Sequence, residues 1–117
     1  IKINNSYEMQ FDFKQTKYNS INEDFVIKTI ENCKKRGVKI IFITTPVYKT
    51  FSSKIPNNIL KYTNSLANKF CAKYDINYYN FLTDKQFKIT DFKNDNHLNS
   101  NGAKKFTLIL DSLIVGN

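Results

Sequence analysis

Apolar residues recur at helical spacing in three stretches and bunch into two short runs between them, so the chain reads helix, strand, helix, strand, helix. The first helix is predicted over residues 21–36. Ser20-Ile21-Asn22-Glu23 makes a capping box at its start, and Phe25 or Val26, Ile30 and Cys33 follow on one face. Lys34, Lys35 and Arg36 suit the carbonyl end, and Gly37 supplies the left-handed residue that stops the helix. Residues 38–45 are rich in β-branched side chains and almost continuously apolar, which predicts an interior parallel strand covered on both faces. Pro46 ends it, since proline has no N–H for the ladder, and residues 47–55 read as a loop.

Pro56 suits the first turn of a second helix over residues 56–73, with Ile59, Tyr62, Leu66 and Phe70 as its stripe. Residues 76–81 read as a second strand and 82–98 as a loop. Asn99 or Ser100 then caps a last helix lined by Ala103, Phe106, Leu110 and Leu113. Upstream of all this, Tyr7, Met9, Phe11 and Phe13 alternate with polar neighbours as in a half-buried strand. The order implies right-handed crossovers and an α/β fold with helices packed on a parallel sheet.

A length of 117 residues sets one domain, residues 1–117, long enough for a core but short for a complete doubly wound sheet. The start at Ile1 rather than Met fits a fold incomplete on its amino-terminal side. No apolar run is long enough for a membrane span. The net charge of +8 suggests polyanions, but the lysines are scattered and Arg36 is the only arginine, so bidentate recognition of phosphate or base edges is nearly absent and no nucleic-acid role is expected. Cys33 and Cys71 lie far apart in helical patterns and read as small core or helix-flank thiols, with a disulfide between them left open. Neither a glycine-rich phosphate loop nor a cluster with metal-ligand spacing is present, so no cofactor and no metal are expected.

In parallel sheets, ligands bind where loops leave the carboxyl ends of the strands. Two loops qualify, residues 44–53 and 84–99, and the second carries His97, the only histidine, just before the last helix. The partial positive charge of a helix amino terminus favours an uncharged ring, the state that a general base requires. Thr45 and Tyr48 on the first loop, with Asn94 and Asn99 on the second, are the candidates for touching substrate. Plainer roles compete: His97 as a prop for the helix start, Asn99 as an ordinary cap, Gly102 and Ala103 as a site of close packing. The hydroxyls of Thr44, Thr45, Ser52 and Ser53 sit in no nucleophile turn and read as turn and strand-end hydrogen bonders.

His97-Leu98-Asn99-Ser100-Asn101-Gly102-Ala103 resembles the segment that opens the final helix of SGNH/GDSL-type hydrolases, in their bacterial envelope-associated branch. Residues 43–48 and 78–81 are similar to the family's strand ends, and the resemblance spans roughly residues 20–114. It implies a flavodoxin-like three-layer α/β/α sandwich, ester hydrolysis or acyl transfer on acylated carbohydrate or cell-envelope polymer, and an envelope or extracytoplasmic location. It further implies that His97 takes the proton of a serine nucleophile. Three parts of the family pattern are missing: a Gly-Asp-Ser segment, a Gly-x-Asn-Asp segment, and the aspartate three residues before the histidine, where this chain has Asn94. Asp95 and Asp91 are the substitutes expected to orient the ring, with Asp95 the nearer in sequence.

A second reading is a non-catalytic flavodoxin-like module that binds a protein or an anionic or glycan surface polymer through lysines and Tyr48, Tyr62, Tyr78 and Tyr79. In either case a sheet edge left open by missing strands would be covered by residues 1–18 or by a second copy of the chain.

Overall fold

The computed structural model describes residues 19–116, so the strand expected around Tyr7–Phe13, and any cover that residues 1–18 give a sheet edge, lie outside the described residues. The chain is mixed α/β. In order its elements are α1 (Asn19–Lys35), β1 (Ile41–Thr44), α2 (Lys49–Ser52), α3 (Asn57–Tyr74), β2 (Asn77–Asn80), a 3-10 turn (Ile89–Asp91), β3 (Phe92–Asn94), β4 (His97–Leu98) and α4 (Ser100–Val115). The strands form two two-stranded sheets, β1 with β2 and β3 with β4. The β1–β2 connection contains a long helix, the kind of crossover that parallel neighbours need. Among the described residues no helix is long and apolar enough to cross a membrane. The described residues fall into two compact units.

One unit holds residues 19–43 and 56–79. Its core is Ile30, Phe70 and Ile76, flanked by Ile27, Ile40, Phe42, Leu66, Cys71 and Tyr74. On α1, Ile30 is buried with Ile27 and Cys33 half-buried on the same face, whereas Phe25 is 62% exposed and Val26 is exposed with it. Glu23 is not the back-reaching member of a capping box: Ser20 already lies inside α1, and the Glu23 carboxylate accepts the Tyr62 hydroxyl at 2.7 Å. The far end of α1 matches its sequence. Gly37 has φ +68°, its N–H donates to Lys34 O, and Val38 N–H donates to Cys33 O, the paired bonds of a Schellman motif.

That motif consumes Val38, so β1 is shorter than residues 38–45 suggested. It is also less covered, since Ile43 is exposed. Helix α3 also ends on a left-handed residue, here without glycine and with a different pairing: Asp75 takes φ 54°, and both Asp75 N–H and Ile76 N–H reach Cys71 O. Both cysteines are free thiols, and burial pushes the Cys71 thiol up from its ordinary pKa.

The other unit holds residues 44–55 and 80–116. Its core is aromatic. Phe106 from α4 receives Phe81 and Phe87 edge-on, at centroid distances of 5.2 and 5.7 Å, while Phe92 packs against Tyr48 at 5.7 Å. Gly102 and Phe106 form the buried side of α4, with Leu110 and Leu113 partly covered, and Ala103 faces outward. Two stretches expected as plain loops carry structure: the short helix α2 in residues 47–55, and the 3-10 turn and β3–β4 hairpin in residues 82–98.

Candidate functional site: the histidine hairpin

His97 sits on a tight antiparallel hairpin. Asn94 faces His97 and Phe92 faces Leu98 across the strands, with an irregularity between the two pairs, and Asp95 and Asn96 make the turn. The Asn94 side-chain oxygen stabilises that turn by accepting the Asn96 N–H at 3.2 Å. The same oxygen lies 2.9 Å from His97 Nδ1. His97 is an exposed residue, and among the described residues its Nε2 has no hydrogen-bond partner, so that nitrogen is the one available to a further group.

Neither carboxylate proposed from the sequence occupies that orienting position. Asp95 is fully buried at the hairpin tip, where it docks the turn onto the start of α2: its carbonyl accepts Tyr48 N–H at 2.8 Å, and its Oδ2 accepts the Thr50 hydroxyl at 3.4 Å. Asp91 is buried at the hairpin base and accepts from Lys105 Nζ and from Lys88 N–H. Lys105 also donates to Gln86 O. These contacts hold the Asp91 carboxyl below the usual aspartate range, the Lys105 ammonium first and the Lys88 amide second, against the opposing effect of burial.

Asn99 serves the fold with both ends of its amide. Its Oδ1 caps α4 by accepting Gly102 N–H at 2.9 Å, and its Nδ2 donates to Thr90 O at 2.7 Å and Phe92 O at 3.4 Å. The backbone joins in, with Asn99 N–H donating to Asp91 O. Gly102 makes the join close, because a Cβ there would overlap the Asp91 carbonyl. The conspicuous residues of the His-Leu-Asn-x-x-Gly segment, the histidine apart, thus seat α4 against the start of the hairpin.

Of the substrate candidates, Tyr48 is half-buried between the Phe92 ring and the Lys49 ammonium, whose Nζ lies 5.9 Å from the ring centroid. Thr45 is exposed. Asn94 is the residue that the structure brings to His97. Ser52 and Ser53 donate to Lys49 O and Thr50 O within the turns of α2, so these hydroxyls are occupied locally.

The Asp95–Thr50 and Asp91–Lys105 pairs, separated by 45 and 14 residues, had no local sequence signal. Asn94 had one that reads in hindsight: an asparagine two residues before an amide in a turn is the pattern of an Asx turn. Among the described residues, no three His, Cys, Asp or Glu side chains are grouped to hold a metal ion. Comparison of the chain with protein-family models, with curated proteins and with solved structures gives no match in any of the three.

Proposed function

We propose that this chain is the carboxy-terminal portion of an SGNH-like esterase or acyltransferase acting on an acylated carbohydrate or cell-envelope polymer. His97 is its general base and the serine nucleophile lies outside residues 1–117. The observation that carries the reading is the exposed His97 ring, tethered at Nδ1 by Asn94 and without a partner at Nε2 among the described residues. In this reaction Nε2 takes the serine proton as the oxygen attacks the acyl carbon, then returns it to the departing alcohol. Water or an acceptor hydroxyl afterwards releases the acyl group by the same proton path. The parent fold in this reading is a flavodoxin-like sandwich in which β1 and β2 are neighbouring strands, and its location is the cell envelope.

The test compares the native protein that contains this chain with its His97→Ala variant, on a simple acetyl ester and on an acetylated polysaccharide. Hydrolysis or transfer that falls by a thousandfold or more, on the order of a lost triad member, supports the reading. Equal turnover by the variant, or none by the parent, overturns it and leaves a non-catalytic module that binds a protein or an anionic surface polymer.

A further inference from the structure

An asparagine in place of an orienting aspartate ordinarily damages a histidine base, because the amide is free to rotate and present its NH2 to the ring. The ring nitrogen that faces the amide then becomes the acceptor, the proton moves to the working nitrogen, and catalysis falls by about 10⁴. The Asn94–His97 pair escapes this fault. Asn94 Oδ1 has two neighbours, His97 Nδ1 at 2.9 Å and the Asn96 backbone N–H at 3.2 Å. A backbone N–H can only donate, so the shared atom must be the amide oxygen. An amide oxygen can only accept, so His97 Nδ1 must be the donor, and in the neutral ring the lone pair is on Nε2.

We propose that Asn94 is the positioning residue for His97, and that the Asx turn to Asn96 is the device that lets a neutral amide do the work of a carboxylate. The turn fixes the amide's orientation, the amide fixes the tautomer, and the tautomer puts the lone pair on Nε2. The tautomer assignment stands on geometry alone, whereas its catalytic value rests on the general-base reading above. The charged groups on the same hairpin are Lys93 and Asp95, with Lys49 on the helix against which the tip docks and Lys105 with Asp91 at the base. None of these is the ring's hydrogen-bond partner, so an acid at position 94 would be the first to face it directly.

The experiment is long-range ¹H–¹⁵N correlation NMR of the uniformly labelled 117-residue chain, in which the single histidine makes assignment unambiguous. The parent is expected to show Nδ1 protonated and Nε2 unprotonated above the ring's titration midpoint. Asn94→Ala is expected to shift the ring to the Nε2-protonated form that free imidazole side chains favour. Asn94→Asp is expected to keep the parent tautomer, because a carboxylate oxygen facing Nδ1 can only accept. A parent ring protonated mainly at Nε2 overturns the proposal, and so does an Asn94→Ala spectrum identical to the parent's. Backbone amide peaks report the fold in the same sample, and the parent ring's own tautomer still decides the question if Asn94→Ala unfolds. The readout needs no turnover, so failure of the esterase reading and failure of the tautomer lock are told apart.

Discussion

Gly102 approaches Asp91 so closely that even a methyl side chain would overlap the Asp91 carbonyl oxygen. Glycine inside a helix normally costs about 1 kcal/mol relative to alanine, so Gly→Ala there is usually stabilising. Here the sign reverses, because the atom in the way is backbone that Asn99 and Lys88 already hold from either side. Gly102→Ala should lower stability by about 1–3 kcal/mol, as overpacking does, seen as a fall in the urea midpoint at unchanged slope. An unchanged or raised midpoint would show that the helix start shifts freely.

Asp91 should make the chain sensitive to acid. Its native carboxyl binds a proton more weakly than in the unfolded chain, chiefly through Lys105 and then through Lys88. The stabilisation is therefore complete above the ordinary aspartate range and is lost as pH falls through the depressed native value. Asp91→Asn should be less stable than the parent near neutrality, and the two urea midpoints should converge as pH is lowered. Parallel curves would mean that Lys105 adds nothing to stability.

Among the described residues, the buried Tyr74 hydroxyl has no hydrogen-bond partner. Such a group loses its water and gains nothing in return, a cost of about 1–3 kcal/mol. Tyr74→Phe should leave stability unchanged or raise it by up to about 1 kcal/mol, read as a shift in Tm. A clear loss of Tm would reveal a hydrogen bond made outside the described residues or to water.

Asp75 occupies the left-handed region at φ 54°, where glycine is at ease and a β-branched residue is strained. Asp75→Gly should raise stability by about 0.5–1 kcal/mol and Asp75→Val should lower it by at least as much. The comparison by thermal melting isolates backbone conformation, since the residue is exposed. If the two variants melt together, the φ value is not what limits the end of α3.

Alkaline unfolding offers a matching test at Tyr62, whose hydroxyl is pushed up by its hydrogen bond to Glu23, then by burial and the carboxylate's charge. The neutral phenol is favoured in the native state, so its contribution is whole below the ordinary tyrosine range and disappears as pH rises through the raised value. Tyr62→Phe should show a shallower loss of stability above about pH 10. Equal alkaline limbs would sink the idea.

The long elements were legible because their signals are local and redundant. Around α3, a stripe from Ile59 to Phe70 and a proline at the start agree, and around α1, Gly37 marks the stop that the backbone shows. The stripe of α1 was misassigned at Phe25 and Val26 because several apolar residues lie close together, and only tertiary contact decides which of them turn inward. The β3–β4 hairpin was invisible for a different reason: strands of three and two residues are too short to show alternation, and Asp95-Asn96 is not a strong turn dipeptide. His97 was legible as the centre of the candidate site. Its partner was not, because charge chemistry favoured an aspartate, while local backbone geometry selected Asn94.

The docking of the Asp95 turn onto Tyr48 and Thr50 limits how the chain can vary in length. Val47 N–H is likewise bound to Leu82 O, and Phe81 N–H to Thr44 O, so residues 44–50 are stitched at successive points to the segments that lead to and form the histidine turn. An inserted residue between Pro46 and Thr50 would put these attachments out of step and move the turn that carries the ring. Homologous chains that keep the ring in place should therefore hold this segment to a constant length, while gaining and losing residues elsewhere.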